Sequence, residues 1–196
     1  MLRFDIINFL IAKKHYKKYL EIGVQKKKQN FDKIVCDYKV CVDPDKNSFS
    51  DYEMTSDEFF YRNKEKFDIV FVDGLHLCEQ VLKDLVNSIK CLNLNGIIVC
   101  HDLLPINEKE QLRQYNSNSW TGDCWKAWMY FKKRNNNIKS YIVDTDHGVG
   151  IIENSENVDL RIENNCIIKE QDWEYFLRSK DLMNIITVQE FMEKLI

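Results

Sequence analysis

The sequence predicts an α/β protein built on an open, mostly parallel sheet. Short apolar runs typical of buried strands alternate with segments of helical periodicity. Several runs end in a glycine or a carboxylate, as YLEIGV does at residues 19–24 and VCVDPD at residues 40–45. The last two runs, residues 141–143 and 149–152, are joined only by residues 144–148, too short a link for a crossover helix. These two strands are therefore predicted to form an antiparallel hairpin near one edge.

Local signals define the individual elements. Thr55 and Thr187 each stand three residues before a glutamate, the pattern of a capping box at a helix start. Asn95-Gly96 predicts a turn into the fourth strand, and the polar segment 103–119 predicts a long loop of the kind that is usually functional. The predicted strands are residues 19–24, 39–42, 67–74, 97–102, 141–143 and 149–152. The predicted helices lie around residues 4–11, 31–35, 55–60, 76–92, 125–134 and 187–195.

Length and charge limit the function classes. At 196 residues the chain fits a single domain, with a core at about residues 17–153 and a helical extension at about 167–196. A net charge of -3 and a pI near 5.9 give no reason to expect a nucleic-acid partner. No apolar run approaches the ~20 residues of a membrane span, and no signal peptide is recognisable, so we expect a cytoplasmic protein.

The cysteines do not form a metal or disulfide pattern. They are seven in number, scattered, and without a C-x-x-C pair, which predicts buried, reduced thiols. They are Cys36, Cys41, Cys78, Cys91, Cys100, Cys124 and Cys166.

Seven segments in order resemble the class I S-adenosylmethionine-dependent methyltransferases, particularly small members associated with sugar and surface-glycan biosynthesis. The segments are YLEIGV, VDPD, MTSDEFF, FDIVFVDGLH, GIIVCHDLLP, WTGDCWKAW and DTDHGVGII. The resemblance implies a three-layer Rossmann-like fold with a mostly parallel seven-stranded sheet and an antiparallel C-terminal hairpin. It also implies O-methylation of a sugar or nucleotide-sugar hydroxyl with S-adenosylmethionine as cofactor. Monomer and homodimer both remain open.

The chain departs from this family at residues 25–30, QKKKQN, where the family usually has a second glycine. A side chain there costs ~1 kcal/mol if the backbone needs a positive φ. The departure keeps open an alternative, a non-catalytic protein of the same fold that binds a ligand or partner without turnover. A nicotinamide oxidoreductase is disfavoured because G-x-G-x-x-G is absent.

Ligands of open parallel sheets bind beyond the carboxyl ends of the strands. There Gly23 and Val24 would allow close approach of the methionine part of the cofactor, and Glu21 would accept a hydrogen bond from its ammonium group. Asp43 would accept two hydrogen bonds from the ribose hydroxyls, unless it is merely a turn acid before Pro44.

The adenine would lie farther along the same edge. Met54 could pack on the ring while Ser56 and Asp57 bond its edge, although ordinary core packing explains Met54 equally well. Asp73, at the tip of the next strand, completes the predicted cofactor contacts.

Methyl transfer to a hydroxyl needs an oriented acceptor and a general base. Asp73 and Asp102 end neighbouring strands, and His76 or His101 would be the base, since a nearby carboxylate can orient a histidine and stabilise its charged form. Asp73 and Asp102 could instead hold Mg²⁺, but His101 stands where a hard oxygen ligand is preferred, so a metal is not favoured.

The acceptor would lie near the long loop. Tyr115 and Trp120 could stack on a sugar face, with Asp123 beside them at the start of the next helix and the loop acting as a lid. Trp125 and Trp128 are better explained as core residues at helical spacing. The hairpin turn holds Asp144, Asp146 and His147, and turn chemistry accounts for two of these three.

Overall fold

The computed structural model describes residues 1–115, 117, 119–153 and 170–194. The strands are β1 (Lys18–Ile22), β2 (Tyr38–Val42), β3 (Phe67–Val72), β4 (Leu92–Cys100), β5 (Ser140–Val143), β6 (Val149–Glu153) and β7 (Ile185–Ile186). The α-helices are α1 (Arg3–Lys14), α2 (Ser56–Arg62), α3 (Cys78–Cys91), α4 (Cys124–Arg134), α5 (Trp173–Ser179) and α6 (Val188–Lys194). Short 3-10 turns cover Lys27–Gln29, Phe31–Lys33, Lys46–Ser48 and Lys180–Met183.

All seven strands belong to one sheet in the order β2-β1-β3-β4-β6-β5-β7. Strands β2, β1, β3 and β4 are parallel, β6 is antiparallel to both β4 and β5, and β7 is parallel to β5. The predicted mostly parallel, seven-stranded sheet with an antiparallel hairpin is confirmed. The hairpin does not form the extreme edge, because the two-residue β7 lies outside it.

Two apolar clusters cover the two faces of the sheet and give the predicted three layers. One contains α3, α4 and α5, with Trp125 and Trp128 fully buried, as the core interpretation of these tryptophans predicted. The other contains α1 and α6, with Leu10 and Phe191 fully buried. Both faces of the parallel strands are therefore covered, which explains why those strands are almost continuously apolar.

The predicted helix at residues 31–35 is wrong. Two 3-10 turns occupy this connection, and Val35 is 75% exposed while Phe31 and Ile34 are buried. A five-residue helix gains too few hydrogen bonds to offset the entropy of its first turn. The burial of Phe31 beneath Tyr19 holds the segment in place instead.

The predicted turn at Asn95-Gly96 is also wrong, because both residues lie inside β4, which begins at Leu92. Asn95 has a φ of 63°, and the register with β3 shifts between Phe67 and Ile69. The two turn-forming residues therefore mark a β-bulge, which needs the same left-handed backbone as a tight turn.

Both capping boxes begin helices. Thr55 Oγ1 accepts from the backbone N–H of Glu58 at 3.2 Å at the start of α2. At α6, Thr187 Oγ1 accepts from the Glu190 N–H, and Glu190 accepts in return from the Thr187 N–H at 2.7 Å. Leu195, predicted as an apolar position of the last helix, lies outside the described residues.

The six cysteines in the described part of the chain are free thiols, and all except the half-buried Cys36 are buried. Cys166 and residues 167–169 of the predicted extension lie outside the described residues. Within the described ranges, no helix combines the length and the apolar character needed to cross a membrane.

Candidate functional site

A cavity of about 910 Å³ lies where the carboxyl ends of β1, β2, β3 and β4 meet. It is lined by most of the predicted site residues: Glu21, Gly23, Val24, Asp43, Ser56, Asp57, Asp73, His76, His101, Asp102, Tyr115 and Trp120. Met54 and Asp123 are not among the lining residues. Other lining residues had no role assigned in the predicted site, and those used below are Arg3, Gln25, Asn30, Gln80, Asp146 and His147.

The turn after β1 brings backbone against the cavity. Gly23 has a φ of 83° and donates its N–H to the carbonyl of Val42 at 2.9 Å. Gln25 also has a left-handed backbone, with a φ of 49°. The segment without a second glycine thus adopts the positive φ that a glycine would favour, at a cost of ~1 kcal/mol.

Asp43 offsets this cost by binding the turn. Its Oδ2 accepts from the N–H groups of Val24 and Gln25, both at 2.9 Å, and its Oδ1 accepts from Asp45 N–H at 2.8 Å. A carboxylate offers about four acceptor positions, so about one remains for a further donor. The predicted pair of ribose hydrogen bonds therefore needs one of these backbone bonds to be replaced.

A buried polar triad lies beneath the same turn. Glu21 Oε2 accepts from Tyr19 Oη at 2.5 Å and from Asn30 Nδ2 at 2.8 Å. Burial raises the pKa of Glu21 to about 8, against the lowering effect of these two hydrogen bonds. Asn30 Oδ1 is buried without a hydrogen-bond partner among the described residues, so the triad keeps an unused acceptor beside the cavity.

Gln80 of α3 organises the far end of the cavity. Its Nε2 donates to Ser56 Oγ at 3.1 Å, Asp57 Oδ1 at 3.0 Å and Asp84 Oδ1 at 3.1 Å. The neighbouring Met54 packs half-buried against the core cluster. This packing supports the core alternative for Met54, and its contact with adenine stays a prediction.

Two histidines and two aspartates form one cluster at the ends of β3 and β4. His76 Nε2 lies 3.5 Å from Asp73 Oδ1 and 3.3 Å from Asp102 Oδ2. His101 Nδ1 lies 3.4 Å from the same Asp73 atom and 3.2 Å from the same Asp102 atom. The structure therefore places each of the two predicted catalytic histidines within 3.5 Å of both aspartates.

The electrostatics of this cluster favour charged imidazoles. Burial opposes the charged form of His76, but its hydrogen bond to Asp73 and the charges of Asp102 and Asp73 outweigh burial and raise its pKa above 6.5. For His101 the same balance, dominated by Asp102 and Asp73, raises the pKa well above 6.5. Burial would raise the pKa of Asp73, yet the His101 charge and the hydrogen bonds from both imidazoles hold it well below its usual range.

Arg3 and Asp146 extend the cluster, and the sequence pattern did not point to Arg3. Asp146 Oδ2 lies 3.6 Å from His101 Nε2 and accepts from Arg3 Nη1 at 3.0 Å. Arg3 opens α1, and a lone arginine at a helix start carries no functional signal. Asp146 lies in the β5–β6 turn, with a φ of 46°, so turn chemistry alone is enough to account for an aspartate at this position in the sequence.

Backbone strain concentrates at this cavity. Of the eight described non-glycine residues with positive φ, four line it: Gln25, Asp102, Asp146 and His147. Left-handed backbone at such residues persists where surrounding contacts hold it, and it clusters at functional sites. The strain therefore supports a functional role for this edge of the sheet.

The long loop contributes two aromatic rings. Trp120 stacks on His76 with ring centroids 4.8 Å apart and an interplanar angle of 17°. Tyr115 meets Trp120 edge-on at 5.6 Å and is 62% exposed. The two aromatic rings thus lie beside the histidine cluster.

Asp123 is misassigned as an acceptor-binding residue. It is fully buried, and its carboxylate accepts from Arg113 Nη1 at 2.7 Å and from the Cys78 N–H at 2.8 Å. Its role is to join the loop and α4 to the start of α3. The sequence showed only its position before α4, and the partners that bury it come from distant segments.

The Asp73, His76 and Asp102 donor atoms lie within 4.8 Å of one another, close enough for a cation. Mg²⁺ prefers an octahedron of oxygen ligands. Here an imidazole nitrogen supplies one of the three donors, and the carboxylates are already paired with His101 and, for Asp73, also with Arg3 at 3.7 Å. The donor set therefore does not fit Mg²⁺.

Comparisons with known proteins agree with this architecture. Residues 12–103 match the model of a family described as a methyltransferase domain. An O-methyltransferase from Bacillus cereus, solved with S-adenosylhomocysteine, is similar over 77% of this chain and 79% of its own, with 11% identity and a TM-score of 0.51. The fold is that of the class I methyltransferases.

Two further structures share the class I methyltransferase fold. A Staphylococcus aureus protein provisionally described as a caffeoyl-CoA O-methyltransferase covers 78% of this chain and 82% of its own, with 16% identity and a TM-score of 0.58. TomG from Streptomyces achromogenes, an O-methyltransferase of tomaymycin synthesis solved with S-adenosylmethionine, covers 77% and 78%, with 11% identity and a TM-score of 0.51. No curated protein matches the sequence significantly.

Proposed function

We propose that this protein is an S-adenosylmethionine-dependent O-methyltransferase that uses His76 as its general base. The observation that carries the proposal is the convergence of four strand-end carboxyl groups on one cavity, in a chain with a methyltransferase-domain match. These groups belong to Glu21, Asp43, Asp73 and Asp102.

The residues beneath the β1 turn fit the cofactor. A side chain at Gly23 would fill the cradle, since its Cβ would lie 2.2 Å from the Asp73 carbonyl oxygen. The buried, unpaired Oδ1 of Asn30 and the carboxyl group of Glu21 are acceptors suited to an ammonium group. When bound, the cofactor supplies a methyl group on a sulfonium, whose leaving group is already activated.

His76 suits the role of base better than His101. His101 is only 5% exposed, and its nitrogens face Asp73 and Asp102 on one side and Asp146 on the other. His76 stacks on Trp120, and its Nε2 faces two carboxylates at 3.3 and 3.5 Å. The Nε2–H of neutral His76 faces the two carboxylates, so the acceptor proton would pass to Nδ1, which has no hydrogen-bond partner among the described residues. The carboxylates would stabilise the resulting imidazolium.

The charges of the cavity favour a neutral acceptor, a sugar hydroxyl over a nucleotide-sugar. Arg3 carries the one permanent positive charge among the described lining residues. The lining carboxylates are Asp43, Asp45, Asp57, Asp73, Asp102 and Asp146, whereas Glu21, with a pKa raised by burial to about 8, holds its proton near neutral pH. Such a surface attracts a cationic cofactor and repels a diphosphate. The rings of Tyr115 and Trp120 supply apolar faces of the kind on which a sugar stacks.

The alternative, a non-catalytic binding protein, rested on the missing glycine. The left-handed backbone of Gln25 and its support by Asp43 weaken that reason, because the turn keeps its shape with a side chain present.

Calorimetric titration with S-adenosylmethionine and with NAD, followed by methyl-transfer assays, tests the proposal. We expect binding of S-adenosylmethionine only, and methylation of neutral glycosides more than of UDP-sugars. Binding without transfer to any acceptor hydroxyl would favour the non-catalytic alternative. No binding of S-adenosylmethionine would refute the proposed function.

A further inference from the structure

The side chain of Arg3 reaches from the start of α1 into the centre of the histidine cluster. It is 23% exposed, and its Nη1 lies 3.0 Å from Asp146 Oδ2 and 3.4 Å from His101 Nε2. Its Nε lies 3.7 Å from Asp73 Oδ2. One guanidinium thus touches the β5–β6 turn, the end of β3 and the residue that follows β4.

Asp146 Oδ2 is the atom that Arg3 and His101 share. It accepts from the backbone N–H of Arg3 at 2.8 Å as well as from Nη1, while His101 Nε2 stays 3.6 Å away. Two short, charge-assisted bonds hold this oxygen toward Arg3. The closest carboxylate to His101 is therefore that of Asp102, whose Oδ2 lies 3.2 Å from Nδ1.

We propose that Arg3 is a positioning residue for the methyl-transfer site: by holding Asp146, it fixes the imidazole of His101 against Asp73 and Asp102. This inference rests on the proposed function for its kinetic consequence. Arg3 acts through Asp146 and His101 and touches no reacting atom. Without the guanidinium, only the backbone N–H of residue 3 still holds Asp146. Asp146 can then turn toward His101 Nε2 and draw the ring away from Asp102, which His101 shares with His76.

A simple anchoring role for Arg3 does not explain this arrangement. The start of the chain already has an anchor to the same turn, since Thr145 Oγ1 donates to the carbonyl of Met1 at 2.6 Å. That bond is exposed and has no contact with the histidines. Burying a guanidinium is costly unless carboxylates compensate it, so attachment of α1 alone gives no reason to bring Arg3 inside.

The two attachments allow a matched experiment. Arg3→Gln removes the charge from the cluster, Arg3→Lys keeps it, and Thr145→Val removes only the outer anchor. Each variant is compared with the wild type by thermal unfolding, S-adenosylmethionine titration, steady-state kinetics, and NMR of the cofactor-free protein with ¹⁵N-labelled histidine. A His101→Asn variant assigns the His101 signals.

We expect Arg3→Gln to lower kcat ~10-fold or more while cofactor Kd and acceptor KM change less than ~3-fold, as for a displaced catalytic group. The His101 imidazole signals should shift in Arg3→Gln, return toward the wild-type position in Arg3→Lys, and stay unchanged in Thr145→Val. Thr145→Val should also keep its kcat.

Equal effects of Arg3→Gln and Thr145→Val, confined to the unfolding temperature, would overturn the inference. Unshifted His101 signals in a folded Arg3→Gln protein would overturn it as well. If Arg3→Gln does not fold, Asp146→Asn carries the test, because it removes the carboxylate through which Arg3 acts on His101. Unshifted His101 signals and a wild-type kcat in that folded protein would overturn the inference. Failure of the wild type to bind S-adenosylmethionine refutes the proposed function, whereas the imidazole spectra still test the positioning.

Discussion

Gly23 packs directly against the backbone carbonyl of Asp73, so that the ends of β1 and β3 meet at the floor of the cavity. A Cβ atom on Gly23 would lie 2.2 Å from the Asp73 oxygen and 2.4 Å from the Cα of Gly74. The φ of 83° adds a second reason for glycine. All three nearest atoms belong to the backbone of Asp73 and Gly74, so no flexible side chain can give way.

Gly23→Ala should therefore lower the unfolding temperature by roughly 6–12 °C, as expected for a loss of ~3 kcal/mol in a chain of this size. Gly74→Ala is the matched control, since its nearest neighbour would be Ile22 Cγ2 at an ordinary 3.5 Å. Differential scanning calorimetry of both variants measures the effect. Equal unfolding temperatures for the two variants would contradict the close approach.

Gln25→Gly should stabilise the protein by ~0.5–1 kcal/mol, because glycine relieves the left-handed strain at φ 49°. Gln29→Gly is the control: it lies in the 3-10 turn Lys27–Gln29, where added chain freedom only destabilises. Urea unfolding of both proteins gives the free energies. A destabilised Gln25→Gly protein would show that the Gln25 side chain contributes more than the strain costs.

Glu21 should make the protein less stable as the pH rises from about 4.5 to 8. Its folded pKa, raised by burial to about 8, exceeds the usual 4.5, so between these values the folded state holds a proton that the unfolded state has released. The stabilisation is complete below pH 4.5 and is lost as the pH approaches 8. Urea unfolding at several pH values measures this slope, which should be smaller in Glu21→Gln.

Asp84, with a pKa raised by burial to about 7, adds to the same slope and is absent from the cavity lining. Asp84→Asn therefore separates the two contributions, because it should reduce the slope mainly below pH 7. A Glu21→Gln protein with the full wild-type slope would contradict the buried, protonated state of Glu21.

The rate of methyl transfer should rise with pH through a midpoint above 6.5. The base must be neutral to accept a proton, and Asp73 and Asp102 hold the pKa of His76 above that value. Removing one negative charge in Asp102→Asn should move the midpoint to lower pH. The measurement is kcat against pH at saturating cofactor and acceptor.

The two histidines should respond differently in that experiment. His76→Asn should lose ~100-fold or more in kcat and with it the pH-dependent rise, whereas His101→Asn should lower the rate but keep the rise. A preserved rise in His76→Asn would transfer the role of base to another group.

Asp123→Asn should act on stability and not on acceptor binding. The substitution removes the buried carboxylate from Arg113, which is 39% exposed and keeps Glu79 at 2.6 Å, so the loss should be ~1–2 kcal/mol. The unfolding temperature should therefore fall while the acceptor KM stays unchanged. A raised KM in a protein of normal stability would restore Asp123 to the acceptor site.

Local sequence patterns predicted most of the fold because they reflect interactions between residues close together in the chain. The alternation of strand and helix, both capping boxes, and the short link at residues 144–148 each act within a few residues. The errors at residues 31–35 and at Asn95-Gly96 have the same origin. Three apolar residues and an Asn-Gly pair are each compatible with two structures, and packing against β1 and β3 decided between them.

The residues of the candidate site likewise fall into those that the sequence identified and those that only tertiary contacts reveal. Glycine and carboxylates at strand ends were recognisable from sequence, since parallel strands bring their carboxyl ends to one edge. Arg3, Asn30 and Asp146 were not, because their roles come from partners in distant segments. Asp123 looked like a site residue in the sequence, but its carboxylate is paired with Arg113, a partner that the sequence pattern does not reveal.

The sequence alone determined the order of elements, the edge of the sheet at which the cavity lies, and the acids and histidines gathered there, because periodicity and chain connectivity dictate these features. Tertiary structure decided which charges are paired and which atoms stay free. It buried Glu21 and raised its pKa, tied Asp43 to the turn at Gln25, and brought Arg3 to His101 through Asp146. Electrostatic pairing depends on distances of 3–4 Å between residues far apart in the chain, and only folding sets those distances.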